Sequence, residues 1–327
     1  FDRDVPDAIV NTLDFTSSEA ADDLEAMRAH VHAYEDYHAL QKALVDNGWI
    51  AFVADGSMLA RLSGVSQLPM EDAVAFESPE SLRREVTLPH AGLVKGMAIE
   101  PGVTVIVGGG YHGKSTLLNA LQRGVYAHIP GDGRELVATV DDAVKVRAAD
   151  GRAVTGVDVS PLITELPGGA DTARFTTENA SGSTSQAASI MEAIELGTRL
   201  LLIDEDSSAS NLLMRDSRMR TLVESEPITP LVDRIRALAD TGGVSTLIIT
   251  GGTGDYLDAA DRVIMLDTYK CYDVTDRARK VVEEQPRKRT DEPWPVSESK
   301  RCPLPENVQN DRPKTKAAGT DGIILDN

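Results

Sequence analysis

The chain has 327 residues, 41% of them apolar, 4% aromatic and 26% charged, with a formal net charge of −19. That length admits one large α/β domain with additions or two to three smaller ones, and the apolar fraction supports a real core. No run approaches the roughly 18 apolar residues of a membrane span, no secretory signal is visible, and the acidic surface repels nucleic acid except at a local basic patch.

In chain order, residues 17 to 46 place Leu24, Met27, Val31, Tyr34, Leu40 and Leu44 on a polar background. This predicts one or two amphipathic helices with Ser17 or Ser18 as N-cap. Residues 49 to 69, "WIAFVADGSMLARLSGVSQLP", predict a strand and an ordered loop. "EVTLPHAGLVKGMAIEPGVTVIVGG" predicts two or three strands, and "HIPGDGRELVATVDDAVKVRAADGRAVTGVDVSPLI" a strand-rich region punctuated by Gly and Asp. Ser185 to Leu196 and Pro230 to Leu238 have helical patterns, while "RLLLIDED", "VSTLIITGG" and "RVIMLD" read as buried strands. Strands alternating with helices predict a three-layer α/β domain with a mostly parallel sheet over about residues 85 to 270. From Arg277 the chain is rich in Pro and charge, which predicts a linker or disordered segment. Cys271 and Cys302 show no metal-ligand spacing, so a reducing, cytoplasmic compartment with structural thiols is expected.

The most informative stretch is "VTVIVGGGYHGKSTLLNAL", in which Gly108-x-x-x-x-Gly113-Lys114-Ser115 matches the phosphate-loop template. A buried strand precedes it and an apolar-periodic helix follows, a context that disfavours the plain alternative of a Gly-rich turn with a solvated lysine. Glycines let backbone N–H groups point inward and let phosphate oxygens approach, and the helix N-terminus adds its dipole. Gly108, Gly109, Gly110, Tyr111, His112, Gly113, Lys114, Ser115 and Thr116 are therefore the expected nucleotide site. Lys114 would reach the β- and γ-phosphates and the Ser115 hydroxyl would ligate Mg²⁺. His112 fits a permissive loop position better than acid–base chemistry.

"LLLIDED" puts Asp204 and Glu205 at the end of a buried strand. Asp204 is the candidate second Mg²⁺ ligand, and Glu205 the candidate catalytic group that accepts a proton from, or orients, the attacking water. Asp206 reads as a surface or capping residue. In "ENASGSTSQAASIMEAIELG", Ser181, Gly182 and Ser183 precede a helix and offer hydroxyls and N–H groups to an anion. Taken alone, that string favours a simple small-residue N-cap.

"GGGYHGKSTLL", "ASGSTSQ" and "LLLIDED", in this order, resemble the ABC-type ATPases. The longer run from "FVADGS" through "HIPGDGRE", "VTGVDVSPLI", "LPGGADT", "LLLIDEDSSASN" and "GGTGDYLDAADRVIMLD" is similar to the predicted ATPases of the ABC class over about residues 49 to 275. The resemblance implies a P-loop ATPase fold with added antiparallel strands, ATP and Mg²⁺ as cofactors, and a head-to-tail homodimer formed on ATP binding. It makes Ser181, Gly182 and Ser183 the signature loop facing the γ-phosphate of the opposing subunit. Members of the family are longer. Residues 1–48 are thus expected as the edge of an N-terminal helical domain, 49–276 as the ATPase, 277–316 as a linker and 317–327 as the start of a C-terminal domain. The start at Phe1 fits such a piece.

Three departures stand out. Gly251-Gly252-Thr253-Gly254 follows "TLIIT", where ABC engines carry a histidine, so turnover would be slow or would use Asp255 or Thr253. The signature has Ser183 in place of its second glycine, and neither the coupling glutamine nor an adenine-stacking aromatic can be placed. Two functions follow. One is a non-transporter ATP hydrolase; the other is an ATP-gated dimeric clamp with little turnover on protein or nucleic acid, RNA in preference to DNA, through the basic clusters at Arg277–Lys280 and Arg287–Arg289. A small-molecule kinase would leave "ASGSTSQ" idle.

Overall fold

The computed structural model describes residues 21–223, 225–287, 290–295, 314–318 and 322–326. Helix α1 (Ala21–Asn47) leads to β1 (Ala51–Ala54), β2 (Arg83–Leu88), β3 (Gly92–Ile99) and β4 (Val103–Gly108). Then come α2 (Lys114–Arg123), β5 (Val137–Thr139), β6 (Val144–Val146), β7 (Arg152–Val157), β8 (Phe175–Ala180) and α3 (Gly182–Glu195). After β9 (Leu200–Asp204) two short helices, Ser210–Leu213 and Ser217–Leu222, precede α4 (Leu231–Asp240). The remaining elements are β10 (Ser245–Ile249), β11 (Arg262–Asp267), β12 (Lys270–Asp273), α5 (Thr275–Glu284), β13 (Lys314–Ala318) and β14 (Gly322–Asp326).

The expected central sheet is present, with six strands in the order β12-β11-β4-β10-β9-β6, all parallel except the edge strand β12. Side chains alternate across a strand, and here they feed two cores. Leu200, Leu202 and Ile106 face a core shared with α1, α2 and the antiparallel sheet β2-β3-β1-β5. Leu201, Ile203, Val103 and Val105 face the other core, with Ala187 and Ile190 of α3 and Leu231 and Ile235 of α4. These are the layers of an α/β P-loop domain. Among the described residues, no helix is long and apolar enough to cross a membrane.

The chain divides into two units, Phe1–Trp294 and Pro295–Asn327. The second contains the antiparallel hairpin of β13 and β14, with Lys314 opposite Asp326. Residues 17 to 46 were expected to form one or two helices, and the described part is one helix of 27 residues; the candidate caps Ser17 and Ser18 lie outside the described residues. That helix does not stand apart at a 48/49 boundary. Tyr37, Leu40 and Leu44 are buried in the core, Tyr37 OH donates to Gly124 O at 3.1 Å, and Gln41 Nε2 donates to Thr139 O at 2.8 Å.

Nor does a linker begin at Arg277. Asp273 Oδ1 accepts from the Thr275 N–H and hydroxyl at 3.0 and 2.6 Å, which starts α5, and Ala278 is buried. Arg287 then pairs with Asp258 at 2.8 Å, and Trp294 is buried. A charge-rich helix with a narrow apolar face looks like linker in composition, because so few of its residues touch the core. The expected boundary at residue 317 falls inside β13, and Cys302 lies outside the described residues.

Candidate nucleotide site

The phosphate loop joins β4 to α2. Gly108 has φ 144° and passes so close to β11 that a Cβ there would lie 2.2 Å from Leu266 O, so only glycine fits. Gly113, at φ 97°, turns the chain into α2, and its carbonyl accepts the Leu117 N–H at 3.0 Å. Leu117, Leu118 and Leu121 anchor that helix in the core. Between the two glycines Tyr111 has φ 61° and is 98% exposed, a conformation rare for a bulky side chain. His112 ties the loop to the β11–β12 turn: its Nδ1 is 3.2 Å from Asp267 Oδ1, and its carbonyl accepts the Tyr269 N–H at 3.2 Å. Gly109 lies beneath the His112 ring, and Gly110 is exposed.

Lys114 Nζ folds back over this loop, donating to Gly108 O at 2.7 Å and Gly109 O at 2.8 Å. Next to it, Ser115 Oγ and Asp204 Oδ2 approach to 3.5 Å, joining the first turn of α2 to the end of β9. Asp204 is buried, and its second oxygen accepts the Asp206 N–H at 3.3 Å. A hydroxyl and a carboxylate side by side fit Mg²⁺, which binds through few protein oxygens and completes its shell with water and phosphate. No cluster of three or more His, Cys, Asp or Glu side chains suited to a metal occurs among the described residues.

Glu205 is close enough to Lys114 to feel its charge and is held by the loop that stands where the histidine was expected. Its Oε2 accepts the Gly251 N–H at 2.7 Å, the Gly252 N–H at 3.0 Å and the Thr250 hydroxyl at 2.9 Å. Burial pushes this carboxyl up, but the N–H groups of Gly252 and Gly251, the Thr250 hydroxyl and the Lys114 charge outweigh it and hold Glu205 below the usual range. The loop is glycine because it must be thin. A Cβ at Gly252 would sit 2.6 Å from Glu205 Oε1, and one at Gly251 would sit 3.7 Å from Lys114 Nζ. Asp255 and Thr253 make other bonds, and the Thr253 carbonyl also accepts the Thr250 hydroxyl at 2.8 Å. Asp255 binds Arg287 through its carbonyl at 2.7 Å, and the Thr253 hydroxyl accepts the Asp255 N–H at 3.1 Å. Thr250, Gly251 and Gly252 are functional candidates to which the sequence reading gave no role, although it singled out the glycine pair after the buried strand.

Ser181, Gly182 and Ser183 are elsewhere. They begin α3, which packs on the sheet face opposite α2. Ser181 occupies the N-cap position without a side-chain bond to the helix backbone; its hydroxyl meets Thr184 Oγ1 at 3.1 Å. Ser183 Oγ donates to Asn211 Oδ1 at 2.7 Å, and Gln186 braces Ser208 and Ala209. Among the described residues, no hydrogen bond or ion pair links this turn to residues 108–115. The basic cluster at Arg287 is committed to Asp258 and Asp255, and Lys288 and Arg289 lie outside the described residues.

A glycine-turned loop on a parallel sheet, with lysine, serine and a strand-end aspartate converging on it, defines a P-loop nucleotide-binding domain. The family model of the ABC_ATPase P-loop domain matches residues 23–301, and the chain belongs to that family. An uncharacterized protein of Methanocaldococcus jannaschii, MJ1628, is 32% identical over 245 residues, covering 71% of this chain and 53% of that protein. The chain thus spans about half the length of the curated relative it matches. Similar solved structures include the ADP conformation of MJ1267, an ATP-binding cassette of an ABC transporter, at 11% identity and TM-score 0.41 over 72% of this chain and 95% of that one. Another is a bacterial Atm1-family ABC exporter with ATP bound, at 15% identity and TM-score 0.39 over 71% of this chain and 40% of that one.

Proposed function

We propose that this ABC-class ATPase hydrolyses Mg-ATP in a head-to-tail homodimer and works outside transport. Lys114 and the N–H groups of the phosphate loop bind the β- and γ-phosphates, and Ser115 and Asp204 hold Mg²⁺. When bound, the ion neutralises charge that builds on the phosphate oxygens. Glu205 orients the attacking water and accepts its proton, with Thr250, Gly251 and Gly252 fixing the carboxylate. One observation carries the reading: Glu205 is locked by three hydrogen bonds beside Lys114 and the Ser115–Asp204 pair.

Dimer formation is motivated by Ser181–Ser183, which begin a helix on the opposite sheet face. Small hydroxyl-bearing residues and N–H groups there suit the γ-phosphate held by a second copy. A role outside transport fits the glutamines. The only one between Ser115 and Ser181 is Gln122, exposed on α2, and the buried Gln186 is spent on Ser208 and Ala209. A cytoplasmic location suits the free, buried thiol of Cys271. Residues up to Trp294 act in this reading as the ATPase unit.

The test is the solution mass of Glu205→Gln protein with and without Mg-ATP. Doubling of the mass on ATP addition, together with lost phosphate release, is expected. A monomer that binds ATP and never doubles would remove the dimer, and wild-type protein that binds ATP yet releases no phosphate would remove hydrolysis.

A further inference from the structure

The loop that grips Glu205 is mostly glycine. Gly251, Gly252 and Gly254 are exposed and have no side chains to anchor them, and glycine has the most conformational freedom to lose. A carboxylate is placed only as well as the groups that hold it, so this loop takes its rigidity from its two ends. One end is Thr250, buried directly after β10, whose N–H donates to Ile106 O at 3.0 Å. The other is Asp255, the first residue of a short 3-10 turn, Asp255–Ala259. Arg287, three residues beyond α5, clasps that second end. Its Nη2 donates to Asp255 O at 2.7 Å, its Nε donates to Asp258 Oδ2 at 2.8 Å, and its Nη1 lies 3.7 Å from Asp255 Oδ2. We propose that Arg287 is a positioning residue for hydrolysis: by fixing Asp255 it sets the glycine loop, and through that loop the Glu205 carboxylate. The proposal rests on the ATPase reading above and adds what holds its general base in place.

Three observations point to it. First, a line of hydrogen bonds runs from the guanidinium to the carboxylate. The Asp255 N–H donates to the Thr253 hydroxyl at 3.1 Å, and the Thr253 carbonyl accepts the Thr250 hydroxyl at 2.8 Å. That same hydroxyl lies 2.9 Å from Glu205 Oε2, so a shift of Asp255 is passed to the carboxylate. Second, the clasp is forked. One planar group grips a backbone carbonyl and a carboxylate three residues apart, which fixes orientation as a point charge would not. The side chains of Arg287 and Asp258 are only 22% and 14% exposed, so salt screens the pair little.

Third, Arg287 is itself held from both sides. Before it comes α5, tied to the sheet at Thr275 and Ala278. After it, residues 292–294 run against α4: the Glu292 N–H donates to Asp233 O at 2.8 Å, Arg234 Nη1 donates to Pro293 O at 2.5 Å, and Trp294 is buried. The 3-10 turn is fixed on its inner face by the Tyr256 hydroxyl, which donates to Leu213 O at 2.6 Å, and Arg287 supplies the outer hold. Among the described residues, no hydrogen bond or ion pair joins Arg287 to the phosphate loop, so its effect is on turnover and not on ATP binding.

The test measures kcat for phosphate release, ATP affinity and melting temperature in wild type, Arg287→Ala, Arg287→Lys, Gly252→Ala and Gly252→Ala combined with Arg287→Ala. Arg287→Ala should lower kcat about tenfold and leave ATP affinity unchanged. Guanidinium ion in the tens of millimolar should restore part of that kcat, and sodium ion at the same concentration should not. Arg287→Lys keeps the charge without the fork, and should melt close to wild type while turning over several-fold more slowly. In the Gly252→Ala background, where the carboxylate is already displaced, Arg287→Ala should change kcat by less than about twofold. Equal losses in the two backgrounds would overturn the proposal, because a role confined to fold stability is independent of Gly252. So would a matching loss of ATP affinity. Should Arg287→Ala fail to fold, Arg287→Lys decides, and wild-type kcat in it overturns the proposal while leaving the ATPase reading standing. Wild-type protein that binds ATP and releases no phosphate would end the hydrolysis reading and this proposal with it.

Discussion

Gly252→Ala separates the fold from the chemistry more cleanly than any other change in the site. The added Cβ would lie 2.6 Å from Glu205 Oε1 and 3.6 Å from its Cδ, too close for both to stay. Gly252 is exposed and the atom in the way is the end of a flexible side chain, so the carboxylate swings out and the backbone stays. The fold should lose less than about 1 kcal/mol, as exposed substitutions usually do. Glu205 loses more. Its Oε2 now takes bonds of 2.7, 3.0 and 2.9 Å from Gly251, Gly252 and Thr250. Bonds to a charged group are worth about 1.5–3 kcal/mol each, and water returns part of that to a displaced carboxylate. A net misplacement cost of about 1.4–2.7 kcal/mol corresponds to a turnover about ten- to a hundredfold slower. The assay is phosphate release from Mg-ATP at saturation, with ATP affinity and melting temperature measured on the same protein. Unchanged affinity and melting with slowed release is the expected result. Thr250→Val, which removes a single hydroxyl shared between Glu205 at 2.9 Å and Thr253 O at 2.8 Å, should give a smaller loss. Wild-type turnover in Gly252→Ala would refute the idea that the glycine loop sets the carboxylate.

Lys114→Ala should weaken ATP at least about a hundredfold by calorimetry, since a charge pair near a protein surface is worth up to about 4 kcal/mol at contact. Gly108→Ala should lower the melting temperature and ATP affinity together: its Cβ would overlap the Leu266 carbonyl at 2.2 Å, and a strained backbone adds about 1–3 kcal/mol. Alkaline stability is the third case. Burial pushes the Cys271 thiol up to about 12 and raises Tyr256 well above the ordinary tyrosine range. A raised folded pKa gives stability that is complete below the unfolded value and lost as pH rises through the folded one. From about pH 8.5 upward, Cys271 alone should cost about 1.4 kcal/mol per pH unit until pH nears 12. Urea midpoints between pH 8 and pH 11 should fall less steeply in Cys271→Ala than in wild type, and equal slopes would contradict it.

Legibility in the sequence followed the range of the interaction. The phosphate loop could be read because its pattern is local: Gly108, Gly113, Lys114 and Ser115 lie within eight residues, between a strand and a helix N-terminus. Asp204 and Glu205 could be read because a buried parallel strand is an unbroken apolar run, and the acids end it. The central strands were visible for the same reason. Composition misled where packing is sparse. Helix α5 buries Ala278 and little else, so its charges read as linker, and α1 read as the edge of another domain although Tyr37, Leu40 and Leu44 complete this core.

Only the tertiary structure decided which groups meet. Glu205 is held by residues 45 to 47 positions further along the chain, because β10 lies between β4 and β9 in the sheet. Tyr269 rests on Gly113 because β11 borders β4 on its other side. Strand order is set by how the whole set of apolar faces can be covered at once, and a local pattern carries no record of that. The sequence by itself determined a glycine-turned loop of the phosphate-binding template between a buried strand and a helix. Which backbone grips the carboxylate, and which ring lies beside the loop, were settled by the packing of distant strands.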